Sequence, residues 1–184
     1  ICGEESAGTG SNHVREKDGL WAVLLWLNIL GKRKESVENI VFQHWRDYGR
    51  NFYTRHDYEA IDTGKANELM AHLRALIGKK DVPALNGKNL VLSDDFAYHD
   101  PVDNSDSKGQ GIRFLFKDGS RIIFRLSGTG TEGATLRVYI ENYEPDPSKQ
   151  GGDTQTALAD LIRIARNLAE IESRTGRNAP TVIT

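Results

Sequence analysis

The first fifty residues contain the longest apolar stretch of the chain. Within residues 20–30 only Asn28 is polar, so the stretch predicts a helix that is apolar on every side and must be buried all round. Ser36 is positioned to cap a second helix, which is predicted to end near Gly49. Two such helices cannot cover each other completely. Residues 1 to about 50 are therefore predicted to be the trailing piece of a domain whose other parts lie outside this chain.

The remaining residues predict a self-sufficient α+β domain. Residues 51–62 show no clean period and are interpreted as a connector. Apolar stripes at helical spacing predict one helix that ends at Gly78 and another from Leu158 to Ile171. Strands are predicted at residues 90–92, 112–116, 122–126 and 135–141. The dipeptide Asp118-Gly119 predicts a two-residue hairpin loop between the middle two strands.

Composition and charge exclude several classes of protein. The chain has 24 Lys and Arg against 26 Asp and Glu, a net charge of −2, which argues against nucleic-acid binding driven by bulk charge. The single cysteine, Cys2, cannot form an internal disulfide and fits a reducing compartment. The apolar stretch at residues 20–30 is shorter than the roughly 20 residues that a membrane-spanning helix needs. Because the chain starts at Ile1 rather than Met, it is expected to be a piece of a longer protein.

Residues 125–137 are rich in glycine and hydroxyl side chains and contain the pattern Gly-x-Gly-x-x-Gly at Gly128, Gly130 and Gly133. A dinucleotide-binding fingerprint must open a helix, whereas these glycines lead into an alternating strand. We therefore reject a dinucleotide site. A P-loop is rejected because no Gly-Lys-Ser/Thr follows, and a kinase loop because its companion motifs are absent.

The same segment carries two arginines at the two roots of the hairpin. If the apolar positions of both strands face the core, Arg125 and Arg137 share the opposite face. Backbone N–H groups of the glycines and the hydroxyl side chains between them would complete a receptor for a dianion such as phosphate. The alternative is a flexible hairpin whose arginines pair with surface acids such as Glu132 and Glu141.

A second cluster of glycine, acidic and hydroxyl residues occupies residues 3–10. Carboxylates accept hydrogen bonds from vicinal hydroxyls, and serine both donates and accepts, so such a loop suits a sugar. Lys17 is close enough in sequence to steer an anionic ligand. The alternative is a simple approach to a helix, with Asp18 as the N-cap.

Together these two segments resemble the C-terminal part of the phosphoglucomutases, which belong to the α-D-phosphohexomutase superfamily. Residues 3–6, Gly-Glu-Glu-Ser, are similar to the family's sugar-recognition loop. Residues 125–130, Arg-Leu-Ser-Gly-Thr-Gly, are similar to its phosphate-binding loop. The resemblance runs nearly end to end and is weakest at residues 78–96 and 148–154. Ala7 stands where other members carry an aromatic residue.

The resemblance implies both a fold and a reaction. It implies a trailing piece of an α/β third domain at residues 1–50, a hinge at 51–62 and a phosphate-binding fourth domain at 63–184. The fourth domain would have a TATA-box-binding-protein-like fold, a mixed sheet with helices on one face. The reaction would be the interconversion of glucose 1-phosphate and glucose 6-phosphate through glucose 1,6-bisphosphate, in the cytoplasm. The same resemblance implies that Glu4, Ser6 and Lys17 bind the sugar. It implies that the phosphate is bound by Arg125, Ser127, Gly128, Thr129 and Arg137.

The reacting groups of the family are not found in this sequence. The family uses a phosphorylated serine and a Mg²⁺ ion held by spaced aspartates, and neither motif occurs here. The chain alone is therefore expected to be inactive, without a catalytic residue or metal ligand of its own, and to depend on the missing N-terminal domains. No membrane or nucleic-acid partner is expected. The alternative function is a non-enzymatic phosphosugar-binding or scaffold module.

Overall fold

The computed structural model describes residues 1–3, 8–12, 16–79, 82–130 and 133–184, with only the backbone described for residues 128–130. The chain divides into two compact units, Ile1–Tyr48 and Gly49–Thr184. Among the described residues, no helix combines the length and the apolar character that crossing a bilayer requires.

The first unit consists of a short hairpin and two helices. Its elements are β1 (Cys2–Gly3), β2 (Thr9–Gly10), α1 (Gly19–Arg33) and α2 (Val37–Tyr48). The Oδ1 atom of Asp18 accepts hydrogen bonds from the backbone N–H groups of Leu20 and Trp21, at 2.9 and 3.3 Å, and so caps α1. The hydroxyl of Ser36 accepts from the N–H of Asn39 at 3.2 Å and caps α2. Both helices predicted from the sequence are confirmed.

Helix α1 is apolar on every side but buries none of its residues. The side chains of Leu20, Leu24 and Leu27 are 78%, 59% and 57% exposed. The helix ends at Lys34, which adopts a left-handed conformation and donates its N–H to the carbonyl of Leu30 at 2.9 Å. A helix with this composition needs apolar cover that the described residues of the first unit do not provide.

The second unit is a six-stranded sheet with helices against one face. Its strands are β3 (Arg50–Ile61), β4 (Leu90–Asp95), β5 (Tyr98–His99), β6 (Asp106–Ser107), β7 (Ile112–Phe116), β8 (Arg121–Gly130), β9 (Gly133–Glu144) and β10 (Val182–Ile183). Its helices are α3 (Thr63–Leu76), a 3₁₀ turn (Pro83–Leu85), α4 (Thr154–Ala157), α5 (Ala159–Leu168) and α6 (Ile171–Thr175). The sheet order is β10-β3-β9-β8-β7-β4, and β5 and β6 pair separately. The predicted α+β fold is confirmed, but the sheet, expected to be mixed, is antiparallel at each of these five pairings.

Strict alternation on the central strands builds the core of the second unit. Strands β7, β8 and β9 turn every second side chain inward, where α3 and α5 cover them. The inward residues of these strands are Ile112, Phe114, Phe116, Ile122, Phe124, Ala134, Leu136, Val138 and Ile140. Burial of each large side chain contributes about 1.5–3 kcal/mol, so this unit carries a core of its own.

Residues 51–62 do not form the predicted connector, because β3 occupies almost all of them and pairs with β9. Thr54 and His56 take inward positions at 2% and 4% exposure, where an apolar residue is usual. Both are satisfied by Gln155: its Oε1 lies 3.0 Å from His56 Nε2, and its Nε2 donates to Thr54 Oγ1 at 2.9 Å. Polar residues paired in this way hide the alternation that would have revealed the strand.

The hairpin between β7 and β8 is confirmed, but its loop has four residues, 117–120, rather than two. Gly119 supplies the positive φ of 83° that the turn requires. The N–H and the hydroxyl of Ser120 both donate to Oδ1 of Asp118, at 3.0 and 2.6 Å. This side-chain closure accounts for the longer loop.

Candidate functional site

Strands β8 and β9 place Arg125 and Arg137 directly opposite each other. Their neighbours Phe124 and Leu136 are completely buried. Arg125 is exposed, and the side chain of Arg137 is 36% exposed. The alternation of the two strands therefore puts both guanidinium groups on the open face of the sheet, away from the helices, as the sequence predicts.

The end of this hairpin contains a β-bulge at Gly128. Ser127 pairs with Thr135 and Thr129 pairs with Ala134, so Gly128 has no partner of its own on β9. Ser127 is half-buried, and the side chain of Thr129 lies outside the described part of the chain. Bulges are common beside binding sites because they bend the strand and redirect its side chains.

Gly133 allows the hairpin to approach the end of β3 closely. It has a φ of 95°, and a Cβ atom at this position would lie 2.8 Å from the carbonyl oxygen of Ile61. Gly128, Gly130 and Gly133 all lie on the paired strands of the hairpin. They do not form the junction between a strand and a helix that a dinucleotide-binding fingerprint needs.

Asp57 is a residue of this face that the sequence analysis missed. It pairs with Arg137 across β3 and β9, and its side chain is only 6% exposed. Its Oδ1 accepts a hydrogen bond from Nε of Arg55 at 2.9 Å, and its Oδ2 lies 3.7 Å from Nε of Arg137. An arginine and an aspartate two residues apart share a face only if the segment is a strand. The signal was therefore hidden by the interpretation of residues 51–62 as a connector.

Of the two glutamates considered as alternative partners, Glu141 pairs elsewhere. Its Oε2 accepts a hydrogen bond from Nε of Arg121 at 2.6 Å. Glu132 lies outside the described residues. In the part of the chain that the structure describes, Arg125 makes no ion pair.

The charges on this face suit a dianion. Arg55, Arg125 and Arg137 lie in the same part of this face, and Asp57 is in ion-pair contact with Arg55 and Arg137. A phosphate monoester carries up to two negative charges, and its oxygens match the paired N–H donors of arginine. A neutral sugar would not require this excess of positive charge.

The N-terminal hairpin holds Lys17 next to the predicted sugar loop. Glu4 and Ser6 belong to residues 4–7, which lie outside the described residues. A Cβ atom on Gly8 would lie 2.8 Å from Cδ of Lys17, so the aliphatic part of Lys17 packs over Gly8. A depression of about 560 Å³ borders both residues. Lys17 is exposed at its rim, where it can reach a ligand held by the loop.

Comparison with known proteins identifies the family. A family model described as the C-terminal domain of phosphoglucomutase-1 matches residues 50–181, which is most of the chain. The chain belongs to the phosphoglucomutase family. A second model, described as the α/β/α domain III of phosphoglucomutase and phosphomannomutase, matches residues 1–48. The two matched segments are adjacent in this phosphoglucomutase chain and leave no room for a separate connector at residues 51–62.

Individual phosphoglucomutases are similar to this chain over all of its 184 residues. The phosphoglucomutase of Rhizobium radiobacter is 61% identical and phosphoglucomutase-1 of Oryctolagus cuniculus 55% identical, and in each case the chain covers 34% of the relative. The crystal structure of the exocytosis-sensitive phosphoprotein pp63/parafusin, a phosphoglucomutase from Paramecium, superposes with a TM-score of 0.86 at 51% identity. This chain covers 32% of that structure. The chain thus spans about a third of the length of these relatives.

The described residues do not fit the Mg²⁺ site that the family resemblance implies. Across the described ranges, no three His, Cys, Asp or Glu side chains gather as metal ligands. In the acidic stretch, Asp94 accepts hydrogen bonds from Arg113 at 2.8 and 2.6 Å, and Asp95 accepts one from Arg74 at 2.8 Å. The hydrogen bonds from Arg113 hold the pKa of Asp94 below its ordinary value. We therefore assign no metal-dependent step to this chain.

Proposed function

We propose that this chain is the C-terminal part of a phosphoglucomutase that interconverts glucose 1-phosphate and glucose 6-phosphate. In this proposal the open face of the second unit holds the phosphate group that is not reacting. The contacts come from Arg125, Ser127, Gly128, Thr129 and Arg137. The observation that carries the proposal is the direct cross-strand pairing of Arg125 and Arg137 on the open face of the sheet.

A remote phosphate anchor suits the chemistry of this reaction. The sugar must be presented in two opposite orientations, so that either its 1-oxygen or its 6-oxygen meets one reacting phosphoryl group. A phosphate site at a fixed distance from the reacting position serves both orientations, because each isomer carries its non-reacting phosphate at the opposite end. Binding energy gained at the anchor then positions the reacting end.

The sugar itself is proposed to contact Glu4, Ser6 and Lys17 of the first unit. A carboxylate and a hydroxyl bind sugar hydroxyls without discriminating strongly between the two orientations. The support in this chain is the packing of the aliphatic part of Lys17 over Gly8.

The reacting phosphoserine and the Mg²⁺ ion are proposed to belong to the other domains of the longer protein. The substrates are then glucose phosphates and glucose 1,6-bisphosphate, and the 184-residue chain alone binds them without turnover. A cytoplasmic location is proposed because relatives such as that of Pisum sativum, 56% identical, are named cytoplasmic phosphoglucomutases.

The test replaces Arg125 with Met and measures the affinity of the 184-residue chain for glucose 1-phosphate and for glucose by isothermal titration calorimetry. Loss of charge-assisted hydrogen bonds of about 1.5–3 kcal/mol should weaken glucose 1-phosphate binding roughly tenfold to hundredfold, with no effect on glucose binding. In the longer protein the same change should raise KM for glucose 1-phosphate.

Arg121→Met is the matched control, because Arg121 lies on the same strand and the same face but pairs with Glu141. It should leave phosphate affinity nearly unchanged. Equal effects of the two substitutions, or no effect of Arg125→Met, contradict the proposed anchor. Phosphosugar binding by a longer protein that never turns over would favour a non-enzymatic binding module instead.

A further inference from the structure

The open face contains a buried carboxylate that a phosphate site does not obviously need. Asp57 carries a negative charge next to the proposed phosphate ligand Arg137, and its side chain is 6% exposed. A negative charge at this place repels a phosphate, and burial of a carboxylate costs free energy unless the group is paired. Its retention at this position therefore calls for a function that offsets both effects.

The geometry of Asp57 divides its two oxygens between two arginines. Oδ1 accepts the hydrogen bond from Nε of Arg55, whose side chain is 19% exposed, at 2.9 Å. Oδ2 faces Nε of Arg137 at 3.7 Å, within ion-pair range but beyond a hydrogen bond. The first contact fixes the carboxylate, and the second aims its free oxygen at Arg137.

Arg137 has a donor that this arrangement would complete. Its Nε atom is buried and has no hydrogen-bond partner among the residues that the structure describes. A buried donor without a partner is costly, and a movement of less than about 1 Å toward Oδ2 would pair it. Because a guanidinium group has five N–H donors, use of Nε by Asp57 leaves those of the two terminal nitrogens for an anion.

The backbone of Asp57 is held as firmly as its side chain. Its carbonyl oxygen accepts hydrogen bonds from the N–H of Thr181 at 2.7 Å and from the hydroxyl of Thr181 at 3.1 Å. The edge strand β10 pairs with β3 at this position, through Val182. A carboxylate on a strand that is paired on both sides is a rigid support for a mobile arginine.

We infer that Asp57 is a positioning residue for phosphate binding. Its carboxylate is anchored by Arg55 and holds Nε of Arg137. This contact turns the terminal nitrogens of Arg137 toward the phosphate and Arg125. The inference rests on the phosphate-binding role proposed above. It also accounts for two like charges directly opposite each other in an antiparallel pair, an arrangement that otherwise destabilises the sheet. The carboxylate offsets one of them, and the phosphate offsets the remaining charge when it binds.

Asp57→Asn distinguishes this inference from a simple charge effect. The substitution raises the local net charge by one, so electrostatics alone predicts tighter phosphate binding. Positioning predicts weaker binding, by about fivefold or more, because the charge-assisted hydrogen bond from Nε of Arg137 that the inference places in the phosphate-bound state would become a weaker neutral one. The measurement is titration of the 184-residue chain with inorganic phosphate and with glucose 1-phosphate, followed by NMR.

Asp94→Asn is the matched control, because it also removes the charge of an aspartate that pairs with an arginine on the same sheet. It should change phosphate affinity by less than twofold. The effect of Asp57→Asn should disappear in the background of Arg137→Met, since Asp57 acts through that side chain. Unchanged or tighter binding by Asp57→Asn, while Arg125→Met and Arg137→Met weaken binding, overturns the inference alone. Unchanged binding by Arg125→Met and Arg137→Met overturns the proposed function itself.

A spectroscopic measurement on the unaltered chain keeps the inference testable if Asp57→Asn does not fold. In protein labelled with ¹⁵N-arginine, the Nε–Hε signal of Arg137 should shift and become protected from solvent exchange as phosphate is added. The signal of Arg121, which pairs with Glu141, should not change. Direct contact with phosphate alone would shift the Arg137 signal without protecting it, so a shift with unchanged solvent exchange contradicts positioning by Asp57.

Discussion

Helices α1 and α3 are almost equal in length, at 15 and 14 residues, but they differ completely in burial. Helix α1 is the more apolar of the two and buries no residue, whereas α3 buries Ala66, Leu69, Met70 and Leu73. The second unit supplies α3 with a six-stranded sheet, while the sheet in the described residues of the first unit is a pair of two-residue strands. The apolar composition of a helix thus shows how much apolar packing it needs, and its burial shows whether the chain provides that packing.

The difference in helix burial between the two units agrees with the fact that the chain covers only part of the length of its relatives. The C-terminal-domain model matches almost the whole second unit, and the chain covers 34% of its relatives. We propose that other parts of the longer protein cover α1. In the 184-residue chain, the second unit should then unfold cooperatively, and the first unit should contribute little to that transition.

The largest expected effect compares two Leu→Ala substitutions in the 184-residue chain. Leu73 is completely buried in α3, and Leu24 is 59% exposed on α1. Leu73→Ala should lower the free energy of unfolding of the second unit by about 2–5 kcal/mol, through lost burial and a cavity. Leu24→Ala should change it by less than about 0.5 kcal/mol, because little surface leaves water at that position.

The chain offers separate probes for the two units. Trp21, Trp26 and Trp45 all lie in the first unit, so their fluorescence reports on that unit alone. Backbone amide NMR signals of β7, β8 and β9 report on the second unit. Urea titrations followed by both signals should give transitions that do not coincide, and only the sheet transition should respond to Leu73→Ala. A single coincident transition, shifted equally by both substitutions, means that the two units unfold together.

Much of the fold could be predicted from the sequence because its apolar periods are regular. Helices α1, α2, α3 and α5 and strands β7, β8 and β9 all follow apolar positions at the spacing of their element. Strand β3 could not be predicted, because Thr54 and His56 occupy two of its inward positions and are satisfied by Gln155. That pairing depends on a residue about a hundred positions away, and no local pattern reveals it.

The candidate site was predicted where strand alternation alone decides it. The common face of Arg125 and Arg137 follows from period two on β8 and β9. The contributions of Arg55 and Asp57 depend on the placement of β3 beside β9, which is a long-range pairing. The roles of Glu4 and Ser6 rest on the family resemblance and stay predictions, since both residues lie outside the described part of the chain.

A smaller effect is expected from two helix caps of the same chemistry. Asp62 accepts the N–H of Lys65 at 3.0 Å at the start of α3, and Asp18 caps α1 in the same manner. Replacement of a cap by alanine costs about 1 kcal/mol of helix stability. Asp62→Ala should lower the unfolding free energy of the second unit by about that amount, because α3 belongs to its core.

Asp18→Ala should leave the sheet transition unchanged and affect only α1. The measurement is the urea midpoint of the amide NMR signals of β7, β8 and β9, together with hydrogen exchange of the amides at the start of each helix. If Asp18→Ala shifts the sheet transition as far as Asp62→Ala does, the comparison between an independent core and a dependent helix fails.

The smallest expected effect concerns a charged turn of the second unit, at Asp118. It measures how much this turn contributes electrostatically to the stability of the second unit. Burial alone would raise the pKa of Asp118, but hydrogen bonds from Lys88 and Ser120 outweigh it and lower the pKa to about 2 from an ordinary 3.8. Because the folded pKa is the lower one, the charged turn stabilises the fold above about pH 4, and this contribution is lost as the pH falls toward 2. The carboxylate is 54% exposed, so solvent screening reduces the effect to about 1 kcal/mol or less.

The Asp118→Asn variant should therefore be less stable than the unaltered chain at pH 7 and equally stable near pH 2, measured by urea unfolding at both values. A deficit of the same size at both values would show that the turn acts through its shape and not through its charge, and the stability of the second unit would then rest still more on its apolar core.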